Sequence, residues 1–159
     1  MLHLIPAWIQ RPLMPAASKL RSLWRSVSRP TLYGVSVALF DDQGRLLLVR
    51  HSYGTRKWAM PAGGIGKRED PEAGLRREIR EELAITLHDV RLVRQTVDQL
   101  QGLDNHVWFF TATAKDPPQP DMREVIAAQF FALDALPDHL EKRVRPRLDW
   151  VQESRSKQR

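Results

Sequence analysis

The chemistry in this chain is concentrated between Gly63 and Ile85. Glu78 and Glu82 stand four residues apart and Glu81 three from Glu78, so on a helix the three carboxylates occupy neighbouring faces. Like charges this close repel unless something neutralises them. Arg77 offers Glu81 a partner four residues away, but Glu78 and Glu82 have no basic residue along their own line. A divalent cation resolves the repulsion, and carboxylate oxygens suit Mg²⁺ or Mn²⁺, which need few protein ligands when a phosphate supplies the rest. Glu69 adds a fourth carboxylate just ahead of the helix, and Gly63, Gly64 and Gly66 before it let the backbone approach a ligand closely. A glutamate-rich helix is ordinarily a solvated face; the glycine-to-glutamate spacing turns the reading toward metal-assisted work on phosphate.

The elements that must hold these residues are legible from periodicity. Leu32 to Phe40 alternates as a half-buried strand, Asp41-Asp42-Gln43-Gly44 is turn chemistry, and Arg45 to Arg50 returns as an apolar run, which predicts a hairpin. Just after it stand Arg50, His51, Tyr53 and Arg56, where a substrate could be gripped: arginine for phosphate, Tyr53 for stacking on a base. A lone histidine is more often structural, and Trp58 and Trp108 read as core. Asp70 is a good N-cap and Pro71 fits the first helical position, so a helix is expected to about Leu83, with Leu75, Ile79 and Leu83 as its apolar stripe. Strands are expected at 90–97, 106–114 and about 127–133, and a final basic helix from Asp138 to Glu153. Strands and helices mix without a βαβ repeat, which indicates an α+β arrangement.

Composition narrows the field. The chain has 159 residues, 42% hydrophobic and 28% charged, enough for one packed domain with appendages. It has no cysteine, which removes disulfides, thiolate metal sites and cysteine nucleophiles. No apolar run approaches the ~20 residues that cross a bilayer, so a cytoplasmic location is expected. The net charge of +6 sits at the ends: residues 1–40 carry five basic residues and no acid, and residues 142–159 carry seven against Asp149 and Glu153. The middle is net acidic, which fits metal binding better than nucleic acid. Three parts follow: a basic, partly helical appendage at 1–30, a catalytic domain at 31–141, and a basic helix and tail at 142–159. Within the first, residues 16–28 form an amphipathic pattern that could touch an anionic membrane, although packing on the domain or across a homodimer interface is the preferred reading.

Gly63, Glu69, Arg77-Glu78-Ile79, Glu81-Glu82 and Ile85 resemble the Nudix box in type and spacing, with Ala84 in place of its last glycine. Trp58-Ala59-Met60-Pro61-Ala62-Gly63-Gly64 resembles the family's approach to the box. Phe130-Phe131-Ala132-Leu133-Asp134-Ala135-Leu136-Pro137 resembles its closing strand and turn. The resemblance spans about 30–140. It implies a Nudix fold, with a mixed β-sheet sandwiched between α-helices, and hydrolysis of a diphosphate linkage by water attack at phosphorus. It implies that Glu78, Glu81 and Glu82 bind Mg²⁺ or Mn²⁺, with Glu69 and the Gly63 carbonyl as further ligands, and that Arg77 holds a box glutamate. Glu78 and Glu124 are the two candidates it leaves for the general base.

The expected substrate is a small nucleotide, a nucleoside diphosphate derivative of the nucleotide-sugar or ADP-ribose type. Nudix enzymes that cleave ADP-ribose often carry a proline some way after the box, and none stands between Ala84 and Asp116; the tyrosine associated with dinucleoside polyphosphates is missing as well. A pyrophosphatase that clears damaged nucleoside triphosphates is the enzymatic alternative. A non-catalytic ligand sensor on the same fold is the alternative of another class, disfavoured by four carboxylates that a sensor does not need. An RNA-end-processing role draws on the basic ends and is opposed by the acidic middle.

Overall fold

The computed structural model describes residues 31–100 and 102–156. The amphipathic pattern at 16–28, with its membrane and dimer readings, lies outside the described residues. Six strands, β1 (Leu32–Phe40), β2 (Leu46–His51), β3 (Ala62–Gly64), β4 (His88–Leu100), β5 (Leu103–Thr113) and β6 (Val125–Phe131), form one mixed sheet. Its order is β4-β5-β1-β2-β6, with β3 paired to β1. Two helices, α1 (Pro71–Leu83) and α2 (Val144–Ser156), complete the described elements.

Strand alternation sorts the side chains into two cores. Val35, Val37, Leu39, Leu47 and Val49 pack with Leu75, Ile79 and Leu83 of α1. Ala38, Phe40, Leu46 and Leu48, on the alternate positions, pack with Phe109 and with Val144 and Val151 of α2. The sheet therefore lies between the two helices, as the α+β Nudix reading expects.

The hairpin differs from the simple expectation. Asp41 caps the turn, accepting N–H bonds from Gln43 (3.0 Å) and Arg45 (2.8 Å). Beyond it, β1 and β2 pair only at Phe40–Leu46. The segment from Ala59 to Gly64 then enters between them. Ala59 exchanges both backbone hydrogen bonds with Val49, Pro61 O accepts from Val37 N–H (3.0 Å), and β3 pairs with Gly34, Val35 and Ser36. This wedge opens the sheet at one end. The last helix also differs. It starts at Val144, six residues after the expected Asp138, because residues 139–141 bond instead to Trp58: Trp58 N–H donates to His139 O (2.9 Å) and Glu141 N–H to Trp58 O (2.7 Å). Among the described residues no helix is long and apolar enough to cross a membrane.

Helix α1 begins as expected, with the Asp70 carboxylate accepting from Ala73 N–H (2.9 Å). It ends at Ala84 in the left-handed region, φ 55° and ψ 30°, with its N–H donating to Arg80 O (3.1 Å). Glycine adopts that conformation without a Cβ clash, and here an exposed alanine bears the strain. Ala84→Gly is expected to stabilise the protein by about 0.5–1 kcal/mol in denaturant unfolding, strain relief outweighing glycine's greater chain entropy. An unchanged or lower midpoint would show that the end of α1 is not strained.

Candidate active site

One side of α1 is committed to the core, which turns Glu78 and Glu82 toward a cleft of about 470 Å³. Gly63, Gly64, Glu78, Glu82 and Glu124 line it, together with residues of β1, β2, β5 and the segment leading into α2. The glycine at 63 is required sterically: a Cβ there would lie 2.6 Å from both Cδ and Oε2 of Glu78. Gly63 thus lets the box loop and the helix come into contact.

Arg77 is the hub of the loop–helix junction. Its Nη1 donates to Glu78 Oε1 (2.6 Å), its Nε to Glu69 Oε1 (3.0 Å), and its Nη2 to Glu69 Oε2 (3.2 Å) and more weakly to Gly64 O (3.5 Å). These bonds, led by the one to Glu78, raise the Arg77 pKa above its ordinary value. Glu69 also accepts from Gly66 N–H (2.9 Å). That bond first, and Arg77 second, hold its carboxyl below the usual range. Both oxygens of Glu69 are therefore engaged in fixing the loop. Glu81 is more open, its side chain 58% exposed and 3.7 Å from Arg77.

Glu82 has the opposite environment. It is only 8% exposed, and burial pushes its carboxyl up to about 8, reinforced by the charges of Glu78, Glu124, Asp121 and Glu81. No cation among the described side chains lies within ion-pairing distance of it. A buried acid encircled by four others fits a hard divalent cation. Among the described residues no three Asp, Glu or His side chains converge into a ready-made cage, because Arg77 holds one oxygen of Glu78 and Glu81 stands outward. Mg²⁺ and Mn²⁺ tolerate this: they keep water ligands and take phosphate oxygens from a substrate.

Glu124 reaches the cleft on a loop tied down at both ends. Asp121 N–H donates to Glu82 O (2.9 Å) and Gln119 N–H to Leu83 O (2.8 Å), occupying carbonyls that the end of α1 leaves unpaired. The Asp121 carboxylate then accepts from the N–H groups of Arg123 (3.0 Å), Glu124 (3.1 Å) and Val125 (3.0 Å). From the other side Ser52 N–H donates to Glu124 O (2.9 Å) and Ser52 Oγ to Arg123 O (2.7 Å). Sequence reasoning missed Asp121; the Asp-x-x-Glu run ahead of a strand is the signal that could have found it.

The four residues expected after the hairpin divide. His51 and Tyr53 line the cleft, stacked with ring centroids 5.2 Å apart. Burial lowers the His51 pKa, and its Nδ1 is buried without a hydrogen-bond partner. Arg50 and Arg56 are not brought there. They line a separate hollow with Trp58 and His139, where Arg50 Nε donates to Arg56 O (3.1 Å) and its guanidinium lies 5.7 Å from the Trp58 ring. Alternation is the reason for Arg50, which points to the opposite side of β2 from its neighbour His51. Arg56 lies on the loop beyond the strand, where its carbonyl accepts from Arg50. The arginines that do line the cleft are Arg143 and Arg147, together with Tyr33, Ser36, Asn105 and Glu141. Sequence reasoning had counted both arginines with a basic tail.

Comparison with known proteins agrees with this fold. A family model described as NUDIX domain matches residues 30–151. The crystal structure of MutT NUDIX hydrolase from Burkholderia pseudomallei is 28% identical, with a TM-score of 0.66 over 77% of this chain and 98% of its own. The NUDIX domain of Shewanella oneidensis NrtR, solved with ADP ribose, shares the fold at 19% identity and a TM-score of 0.65, over 78% of this chain and 88% of its own. Among curated relatives, the RNA pyrophosphohydrolase of Saccharophagus degradans is 44% identical over 62 residues, 39% of this chain and 36% of the relative. That of Photorhabdus laumondii is 36% identical over 67 residues, 42% of this chain and 38% of the relative. The match thus spans little more than a third of the length of these curated relatives.

The buried acid makes a stability prediction for the metal-free protein. An unfolded Glu82 titrates near 4.5 and the folded one near 8, so stability is lost as pH rises between those values and stays reduced above them. Glu82→Gln removes the penalty. In EDTA its melting temperature is expected to exceed the parent's at pH 8, by the equivalent of about 2–4 kcal/mol, and to match it near pH 4.5. A difference that does not change with pH would show that Glu82 is not held protonated in the fold.

Proposed function

The chain belongs to the NUDIX family, and from that membership we propose that it hydrolyses a diphosphate linkage in a nucleotide substrate by water attack at phosphorus. The observation that carries this reading is the buried Glu82, surrounded by Glu78, Glu81, Asp121 and Glu124 with no cation at hand among the described residues, on a cleft large enough for a nucleotide. Glu78, Glu81, Glu82 and the Gly63 carbonyl are the groups that would hold Mg²⁺ or Mn²⁺. When bound, such an ion neutralises the diphosphate and makes a coordinated water more acidic.

The chain's own residues supply the rest. Arg77 fixes Glu78 by a charge-assisted bond and keeps the glycine loop against α1 through Glu69. Glu124 is assigned as general base in preference to Glu78. One oxygen of Glu78 is engaged by Arg77, whereas Glu124 is brought to the same cleft by a loop that Asp121 and Ser52 hold in place. Tyr53 at the rim offers a face on which a base can stack, and it is paired with His51.

The substrate is placed among nucleoside diphosphate derivatives, such as a nucleotide sugar or ADP-ribose. A second reading, release of pyrophosphate from a 5′-triphosphorylated RNA, is favoured by the names of the relatives aligned over 62 and 67 residues. Arg143 and Arg147 support it, because they bring positive charge from the C-terminal end of the chain to the cleft. A nucleoside triphosphate pyrophosphatase would give the same inorganic product from a mononucleotide.

A product-resolved hydrolysis assay tests the proposal. ADP-ribose, a nucleotide sugar, the nucleoside triphosphates and a 5′-triphosphorylated oligoribonucleotide are incubated with Mg²⁺, Mn²⁺ or EDTA. Hydrolysis is expected with either metal and not in EDTA, and Glu82→Gln is expected to lose on the order of a hundredfold or more in kcat/KM. Two monophosphate-bearing products identify a diphosphate derivative; pyrophosphate identifies a triphosphate or RNA end. Turnover by Glu82→Gln at the parent rate would overturn the carboxylate assignment, and ligand binding without turnover across the panel would leave a sensor.

A further inference from the structure

Outside the carboxylate cluster, Arg147 of α2 is the residue whose surroundings call for a ligand. It is half-buried. Among the described residues its one side-chain hydrogen bond runs from Nη1 to Ser36 Oγ (2.8 Å), and its guanidinium lies 5.4 Å from the Phe109 ring centroid. Ser36 is fully buried and gives its own hydroxyl proton to Pro61 O (3.1 Å), so it offers Arg147 a neutral acceptor and no charge. Among the described residues no carboxylate lies within 4.0 Å of either Arg147 or Arg143. Burial first, and the charge of Arg143 second, push the Arg147 pKa down, while Asp98 and Glu141 oppose them only from further away. Glu141 is partly engaged elsewhere, accepting from Arg143 N–H (2.8 Å). A guanidinium taken from water without an anion is costly, and it has donors to spare for one.

The place matters as much as the charge. Ser36 sits on the α2 side of β1, whereas Val35 and Val37 face α1. The same cleft reaches both sides, so its walls are acidic at Glu78, Glu82 and Glu124 and carry two guanidinium groups, Arg143 and Arg147, beside Glu141. A nucleotide with its diphosphate by the carboxylates has the rest of the same cleft, arginines included, to occupy. The two arginines also line a separate, adjoining groove with Asp98, Lys142, Pro146 and Trp150.

We propose that Arg147 and Arg143 form a second anion subsite in the cleft, which takes a phosphate carried on the sugar of the bound nucleoside. The inference rests on the nucleotide-binding part of the proposed function and not on turnover. That phosphate can be a terminal monoester, as in a 3′-phosphorylated nucleotide, or the first phosphodiester of an oligonucleotide. A planar guanidinium meets either with two parallel hydrogen bonds.

Ligands without an anhydride bond test the subsite with Mg²⁺ present and no hydrolysis. Dissociation constants are measured calorimetrically for a nucleoside 5′-monophosphate, the nucleoside 3′,5′-bisphosphate and the 5′-phosphorylated dinucleotide. Adenine and guanine are both used. The parent is expected to bind at least one doubly phosphorylated ligand about tenfold more tightly than the monophosphate. Tighter binding of the bisphosphate alone identifies a monoester, and tighter binding of the dinucleotide identifies the phosphodiester. Arg147→Met, which keeps packing on Phe109 without the charge, is expected to bring that ratio near one without lowering the melting temperature. Arg147→Gln is the second variant if the methionine fails to fold. An unchanged ratio in the folded variant, or no preference in the parent, would overturn the subsite. Discrimination between adenine and guanine with no dependence on the second phosphate would also overturn it, assigning the arginines to a base edge. Because nothing in the assay is hydrolysed, a failure here is separable from a failure of the hydrolase reading.

Discussion

The site depends on one arginine holding carboxylates that would otherwise repel one another. Arg77 spans from the helix to the loop before it, so its three nitrogens convert Glu69, Glu78 and the Gly64 carbonyl from separate acceptors into one fixed unit. The planar fork is essential to this, since a lysine would present a single point of charge. What Arg77 leaves uncompensated is Glu82, buried beside the same helix. The cluster is therefore asymmetric: its outer half is neutralised by Arg77, and its inner half holds a buried carboxyl whose ionised form has no balancing cation among the described residues.

That arrangement is possible because the sheet is open where the helix meets it. Had β1 and β2 remained paired beyond Phe40–Leu46, β3 could not have reached the edge of β1, and Gly63 would not lie against Glu78. The wedge from Ala59 to Gly64 replaces the lost ladder bonds with its own, so opening the sheet leaves few backbone groups unsatisfied. Opening the sheet and presenting the glycine loop are one structural event. The 119–125 loop completes it by bonding to the carbonyls at the end of α1, which ties the position of Glu124 to that of the helix bearing Glu78 and Glu82.

These relations explain what could be read in advance. Helix α1 was legible to the residue at its start, because the Asp70 cap, Pro71 and the stripe of Leu75, Ile79 and Leu83 all specify the same element. The carboxylates on its flank were legible for the same reason, being placed by helix geometry alone. Arg50 misled because one step along a strand sends a side chain to the opposite face, and Arg56 because nearness in sequence does not say where a loop runs. Arg143 and Arg147 were hidden by their basic company at the C-terminal end. Only the packing of Val144 and Val151 into the core carries them to the cleft, and that is a tertiary fact. The delayed start of α2 has the same origin: residues 139–141 complete the bonding of Trp58, which overrides a helical pattern.

The two sides of the cleft share a physical predicament with opposite sign. Glu82 lies under the α1 face among other acids, and Arg147 under the α2 face beside a neutral hydroxyl and an aromatic ring. Either one would be more stable replaced by an apolar residue of like size. Paired with each other they would cancel, but β1 runs between the surfaces they occupy and keeps them apart. A ligand that brings a cation to the first and an anion to the second relieves both at once, and a metal-bound nucleotide with a further phosphate on its sugar has that distribution of charge. The destabilisation stored at these two residues is then available as selective binding energy, because a ligand carrying only one of the two charges releases only part of it.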